Sequence, residues 1–254
     1  MPSDLDTSFT QQPLNLRCLA LTGTFETSRL PPDCFGCASG DFDGQGISYS
    51  ALQWNFGQGT LQPLLLEMKT AHADVMSRVF GDGFSELSAV LAVPRSRQMA
   101  WARSIQSPGH QLNDSWSGRF LALGRTTEFQ SVATGRASAL FDGGLTLCRT
   151  LGLSSQRGAA LMFDIKVQNG GIGPSALSLI ERDLAALAPG DRDVVEAAKM
   201  RIIANRVADS ANMRWREDVR LRKLAIANGT GVVHGVHYDL AAQFRLTMSA
   251  WTCA

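Results

Sequence analysis

The chain has 254 residues, 44% of them hydrophobic, which at roughly 150 residues per domain allows one large domain or two small ones. Its 24 Lys and Arg nearly cancel 23 Asp and Glu, leaving a net charge of +1, so the general attraction to phosphate that nucleic-acid binders carry is missing and no nucleic-acid partner is expected. No apolar run approaches the roughly 18 residues of a membrane span, and no basic segment leads into a greasy one near the start, so neither a span nor a secretory signal is read.

The predicted elements follow in chain order. Leu14, Cys18, Leu21 and Phe25 recur at steps of four, three and four residues and predict a helix ending close to Glu26. From Arg29 to Asn55 turn formers crowd the chain, and a short alternating run begins at Ile47, which reads as loop and small hairpin. Leu61, Leu64, Leu65, Met68, Val75, Met76 and Val79 predict one helix behind a Thr60 N-cap, closed by Gly81 and Gly83. Further helices are predicted over Glu86 to Ala92, Arg95 to Ile105, Phe129 to Leu151 with a break at Gly143–Gly144, and Ser155 to Val167. Pro174 opens another, Asp191 caps the next, and an Arg-rich helix runs from Arg214 to Ala227. No repeat or low-complexity linker interrupts the series. The plan is a single α+β domain over residues 1–254, mainly helical, with a small hairpin in its N-terminal quarter.

Five cysteines, Cys18, Cys34, Cys37, Cys148 and Cys253, are too few for a disulfide scaffold, and their odd number leaves at least one unpaired. Cys34-x-x-Cys37 has no second ligand pair for zinc and no βαβ context for redox work, so it reads as a loop crosslink or two packed thiols. Asp41-x-Asp43-Gly-x-Gly begins like a calcium loop, but Leu52 stands where such a loop needs a bidentate Glu. His234-Gly-Val-His237-Tyr-Asp239 has no Glu between its histidines and reads as packing and capping into a short terminal helix. No metal or organic cofactor is expected.

Two acids stand in unlike surroundings. Phe25-Glu26-Thr27 sets a carboxyl beside apolar neighbours, where loss of solvent favours a held proton, whereas Asp43 lies among glycines that leave water and backbone free to solvate a carboxylate. Glycoside hydrolysis needs such a pair: one group protonates the leaving oxygen and the other activates water or attacks the sugar. Gln53 and Asn55, on the strand beyond the hairpin, offer amides that both donate and accept hydrogen bonds, as sugars do. Asp41, Ser48, Tyr49, Gln168 and Asn169 are further candidates of this kind. Asp164, inside Leu161-Met162-Phe163-Asp164-Ile165, is too costly to bury unpaired, so an arginine should face it.

The run from Glu26 through Asp41-Phe42-Asp43-Gly44-Gln45-Gly46-Ile47-Ser48-Tyr49 to Gln53-Trp54-Asn55 resembles the catalytic region of lysozyme-superfamily glycoside hydrolases, closest to the bacterial chitosanase-like branch. The resemblance implies a lysozyme-like fold with Glu26 as general acid and Asp43 as base in an inverting attack by water. Phe163-Asp164-Ile165-Lys166-Val167-Gln168-Asn169-Gly170 is similar to the central-helix segment of that branch, and Arg214 and Arg220 resemble the partners of its buried Asp, so a structural brace of these three is implied. A polysaccharide is then the expected partner. Peptidoglycan is favoured over polycationic chitosan because a net charge of +1 supplies no acidic excess. A chitosanase, or a non-catalytic glycan-binding module on the same scaffold, is the alternative. Without a visible signal, the expectation is synthesis in the cytoplasm and delivery to the periplasm or outside by a secretion system or phage lysis, with an immunity protein as partner if the chain is an antibacterial effector.

Overall fold

The computed structural model describes residues 9–251, so Cys253 lies outside the described residues. In chain order the elements are α1 (Leu14–Thr27), β1 (Ala38–Ser39), β2 (Ser48–Tyr49), β3 (Trp54–Asn55), α2 (Leu61–Ala71), α3 (Ala73–Phe80), α4 (Gly83–Leu91), α5 (Arg95–Ser104) and α6 (Asp114–Gly124). There follow α7 (Thr127–Leu151), α8 (Gln156–Asn169), α9 (Pro174–Ala185), α10 (Arg192–Ser210), α11 (Arg216–Asn228), β4 (Thr230–Val233), β5 (Val236–Asp239) and α12 (Leu240–Phe244). No helix among the described residues is long and apolar enough to cross a membrane. The chain divides into two compact units, one of Met1–Phe25 with Ala137–Ala254 and one of Glu26–Arg136.

In the Glu26–Arg136 unit, β1, β2 and β3 form an antiparallel sheet in the order β1-β2-β3, with Ser39 opposite Ser48 and Ser48 opposite Asn55. Tyr49 anchors this sheet. Its hydroxyl donates to the Phe120 carbonyl at 2.8 Å, and its ring lies 4.9 Å from Phe120 and 5.1 Å from Phe129. Phe80, Trp101 and Trp116 extend the same aromatic core in edge-on contacts that suit ring quadrupoles.

The single helix expected over residues 61–79 is two helices. His72 leaves helical geometry (φ −139°, ψ 50°), and between Met68 and Val75 no apolar side chain is buried to hold one face continuous. Thr60 does not cap α2; its hydroxyl accepts from the Asn55 amide at 2.9 Å instead. Gly81 ends α3 as read, whereas Gly83 opens α4. The sequence reading missed α6, although Asn113 caps it by accepting from the Trp116 amide at 3.0 Å, and Trp116, Phe120 and Leu123 bury one face.

In the other unit α1 is buried on every side from Leu16 to Phe25. Arg17, also buried, donates to the Gln12, Phe244 and Arg245 carbonyls and so joins the two ends of the unit. The expected break at Gly143–Gly144 does not occur, and α7 is continuous. The glycines instead let α8 approach: a Cβ on Gly144 would lie 2.9 Å from the Phe163 amide nitrogen. Ser155 caps α8 by accepting from the Gly158 amide, and the buried Glu196 accepts from the Ser154 and Ser155 amides ahead of it. Asp191 caps α10 as read, and Asp239 caps α12. Residues 230–239, read as passing into a terminal helix, form the β4–β5 hairpin first, with Val232 opposite His237. Cys18 and Cys148 are buried, which pushes both thiols up, Cys148 to about 12. The half-buried Cys37 is a free thiol, also raised by burial, so it forms no crosslink with Cys34.

The mainly helical α+β architecture with a small antiparallel sheet in the N-terminal quarter is the one expected from the sequence.

Candidate functional site

The loop from Gly40 to Gly46 is built around one carboxylate. Asp41 Oδ1 accepts from the Gly46 amide at 2.6 Å, closing the loop on itself, and Oδ2 accepts from Arg103 Nε of α5 at 2.6 Å. Gln106 adds a second tie: its Oε1 accepts from the Asp41 amide at 2.8 Å, and its Nε2 donates to the Gly46 and Ala102 carbonyls. Gly44 and Gly46 take φ of 82° and 84°, which other residues adopt only with strain, and this lets the chain turn back within so few residues. Burial pushes the Asp41 carboxyl up, but Arg103 and the Gly46 N–H outweigh it and hold the carboxyl below the usual carboxylate range. Asp41, expected to touch substrate, is therefore a clamp, its side chain only 8% exposed. Arg103→Ala is expected to raise amide exchange at Gly46 by about tenfold, read by hydrogen–deuterium exchange, because the clamp loses its charged partner and with it roughly 1 kcal/mol or more of local stability. Unchanged protection of the loop would show that Gln106 alone sets it.

The clamp holds Asp43 out into solvent just ahead of Gly44, where Oδ1 accepts from the Gln45 amide at 3.1 Å. Asp43, Ser48, Gln53 and Asn55 line one cleft of about 450 Å³ in this unit, so four of the expected residues come together. Ser39, Phe42, Leu52 and Gln58 line it too and were missed by the sequence reading. A lone aromatic in a Gly- and Asp-rich loop was the signal for Phe42. Gln53 Nε2 donates to the Ser50 carbonyl at 2.8 Å, and Asn55 Oδ1 accepts from the Gln58 amide at 2.7 Å, which fixes both amides. Tyr49 is fully buried and belongs to the core, not to the cleft. The reason is pairing with Phe120, described above.

Glu26, the penultimate residue of α1, is exposed. The desolvated setting read for it does not form, because successive helical side chains diverge by about 100° and it is Phe25 that turns inward. Phe25 is 1% exposed, its ring edge-on to Tyr238 at 5.0 Å and beneath the Arg222 guanidinium at 5.1 Å. Glu26 is not among the residues that line the 450 Å³ cleft.

Asp164 is fully buried and paired, as its apolar helix demands, but not by the arginines expected. Arg222 reaches its Oδ1 through Nη2 at 2.6 Å, Lys223 Nζ lies 2.5 Å from Oδ2, and Thr22 of α1 donates to Oδ1 at 2.9 Å. Arg214 precedes α11 and lies exposed over the Trp215 ring at 4.7 Å. Arg220 sits about 200° around the helix from Arg222 and serves Asn205 and Asp209 of α10 instead. Burial alone would raise the Asp164 carboxyl, but the two cations overcome it and hold the group well below the usual carboxylate range.

Gln168 and Asn169 fall in the other unit from Asp43, where they line a separate cleft of about 310 Å³ with Trp215 and Asp218. Gln168 Oε1 accepts from Lys223, so this side chain extends the buried ion cluster. At the hairpin tip His234 Nε2 lies 2.5 Å from Asp218 Oδ1. Among the described residues no group of three or more His, Cys, Asp or Glu is arranged to hold a metal ion.

No protein-family model matches the chain, and neither does any curated protein. Solved structures do match. The chain is similar to a chitosanase in a complex structure, with 16% identity over 89% of this chain and 95% of that one and a TM-score of 0.51. It is also similar to chitosanase OU01 co-crystallised with substrate, with 18% identity, the same coverage and a TM-score of 0.50. The fold that these residues build is thus a mainly helical, lysozyme-like α+β fold of the kind seen in chitosanases.

Proposed function

We propose that this chain is a glycoside hydrolase that cleaves β-1,4-linked amino-sugar polymers by general acid–base catalysis. The observation that carries the reading is Asp43: an exposed carboxylate, held by a purpose-built loop, in a cleft lined otherwise by amides, hydroxyls and two apolar side chains. In the proposed reaction bound substrate covers the exposed Glu26 carboxyl and excludes water from it, and Glu26 then gives its proton to the glycosidic oxygen as the bond to the anomeric carbon breaks. Asp43 takes a proton from water, whose oxygen bonds to that carbon. Inversion follows if the two carboxyl groups stand roughly 6.5–9.5 Å apart in the substrate complex. No step calls on a metal or organic cofactor.

Wall peptidoglycan is the preferred substrate in this reading. The cleft carries a single acid, Asp43, against the amides of Gln53, Asn55 and Gln58. Acetamido groups match the donor and acceptor capacity that such fixed amides have left, whereas a polycation is better served by several carboxylates. Chitosan is the second reading, favoured by the likeness to chitosanase structures. A wall-degrading activity would also require delivery out of the cytoplasm and, for an antibacterial effector, an immunity protein to shield the producer.

The test is incubation of the purified protein with peptidoglycan and with chitosans of graded acetylation, followed by mass analysis of the products. Muropeptide release, with chitosan cleavage rising with acetylation, is the expected result. Cleavage confined to deacetylated chitosan selects the second reading, and no new reducing ends from either polymer removes the hydrolase.

A further inference from the structure

We infer that Phe42 is a stacking platform for the apolar face of a pyranose ring bound beside Asp43. The inference deepens the proposed glycan reading by naming the group that would hold a sugar next to the candidate base.

Phe42 is 68% exposed, while Ile47 at the other end of the same loop is fully buried. The loop keeps this ring in water within a built frame. The Phe42 amide donates to the Gly40 carbonyl at 3.0 Å, and the neighbouring Asp41 is tied to Arg103, Gln106 and Gly46. On one side the ring leans on the His110 imidazole, with centroids 5.5 Å apart and planes at 58°. His110 is itself fixed: its amide donates to the Ser107 carbonyl at 2.9 Å, and Gly40 packs so closely on its carbonyl that a Cβ there would lie 1.9 Å away. Phe42 also lines the cleft that holds Asp43, Ser48, Gln53, Asn55 and Gln58.

That combination has a specific chemical match. A β-1,4-linked pyranose carries its polar groups around the equator and axial C–H bonds on its faces, so it needs a flat apolar surface on one side and hydrogen-bonding groups around its edge. A ring with an electron-rich face beside fixed amides supplies both. A rigid aromatic also loses little conformational freedom on binding, which is why such side chains anchor recognition sites.

The experiment reads binding and turnover separately. Phe42→Ala, Phe42→Leu and Phe42→Trp are made alone and in a Glu26→Gln background, with thermal melts to confirm that the exposed substitutions leave the fold intact. Binding of an N-acetylglucosamine hexamer and a glucosamine hexamer to the Glu26→Gln series is measured by calorimetry. Phe42→Ala is expected to weaken binding of the hexamer that binds by about tenfold or more, with Phe42→Leu recovering only part of it. Phe42→Trp is expected to bind as the parent does, with an indole emission that shifts on adding the hexamer. In the Glu26 forms the loss should fall mainly on KM. Equal binding by Phe42, Ala and Leu, or an unresponsive Phe42→Trp emission at saturating hexamer, overturns the platform. Phe42-dependent binding without turnover by the wild type keeps the platform and removes the hydrolase. Turnover indifferent to Phe42 does the reverse, and no binding of either hexamer removes the platform.

Discussion

Replacing Glu26 by Gln is expected to lower glycan turnover by about 10²–10⁴-fold, the range that a positioned proton donor contributes, while the Tm stays within roughly 3 °C of wild type. The separation of the two effects follows from exposure. Glu26 is exposed near the end of a helix whose stability comes from the buried stretch between Leu16 and Phe25, so the change to an amide leaves that buried stretch untouched. Asp43→Asn should cause a loss of similar size, because an amide takes no proton from water, and should leave the loop in place, since the hydrogen bond from the Gln45 amide can still be accepted by an amide oxygen. The double variant should lose little beyond either single, because two groups acting in one step are not additive. Product release assayed by reducing ends, beside a thermal melt, checks all three. Full activity in Glu26→Gln would refute the assignment of the acid.

Asp164→Ala has the opposite signature, with stability lost first. Removing this carboxylate leaves Arg222 and Lys223 charged side by side, with exposures of 2% and 0%, and breaking a buried pair in this way costs about 3–5 kcal/mol. For a chain of this size that lowers Tm by roughly 6–20 °C. The pH dependence has a definite sign. The folded carboxyl is held below its ordinary value of 3.8, so near and below that value the unfolded chain binds more protons than the folded one. The stabilisation is complete above about pH 5 and is lost as pH falls through the ordinary value toward the depressed one. Urea unfolding of wild type and Asp164→Ala should therefore show a constant gap from neutrality to about pH 5 that narrows below pH 4. A gap that widened with acid would mean that the cluster does not hold its charges as the structure indicates.

Helices with local signals were readable from the sequence. Ser155 and Asp191 announce α8 and α10 because their side chains satisfy amides that the helix itself leaves open. The Asp-Gly-x-Gly turn was readable for the same local reason, and with it the place of Asp43. What the sequence hid depends on distant partners. Glycines at 143 and 144 look like a break until α8 is laid against them, and Arg103 meets Asp41 from 62 positions away with no periodicity to announce it. The partners of Asp164 were missed because helical phase decides which basic residue turns inward, and Arg214 lies ahead of the helix. With α11 starting at Arg216, the buried face runs through Val219, Arg222, Lys223 and Ile226, which places Arg220 elsewhere. The β4–β5 hairpin carried its own mark, a His234-Gly235 pair with φ of 50° and 79° suited to a tight turn, but the histidines drew attention as ligands and caps.

The thiols carry a consequence for where such a chain can work. Oxidants and alkylating agents attack the thiolate, and a thiol that burial raises well above its ordinary value offers almost none at neutral pH. Cys18 and Cys148 are therefore inert filling, and with Cys37 also raised and unbridged, none of the three makes the architecture depend on the surrounding glutathione poise. The packing around Cys18 and Cys148 is thus indifferent to the redox state of the surroundings.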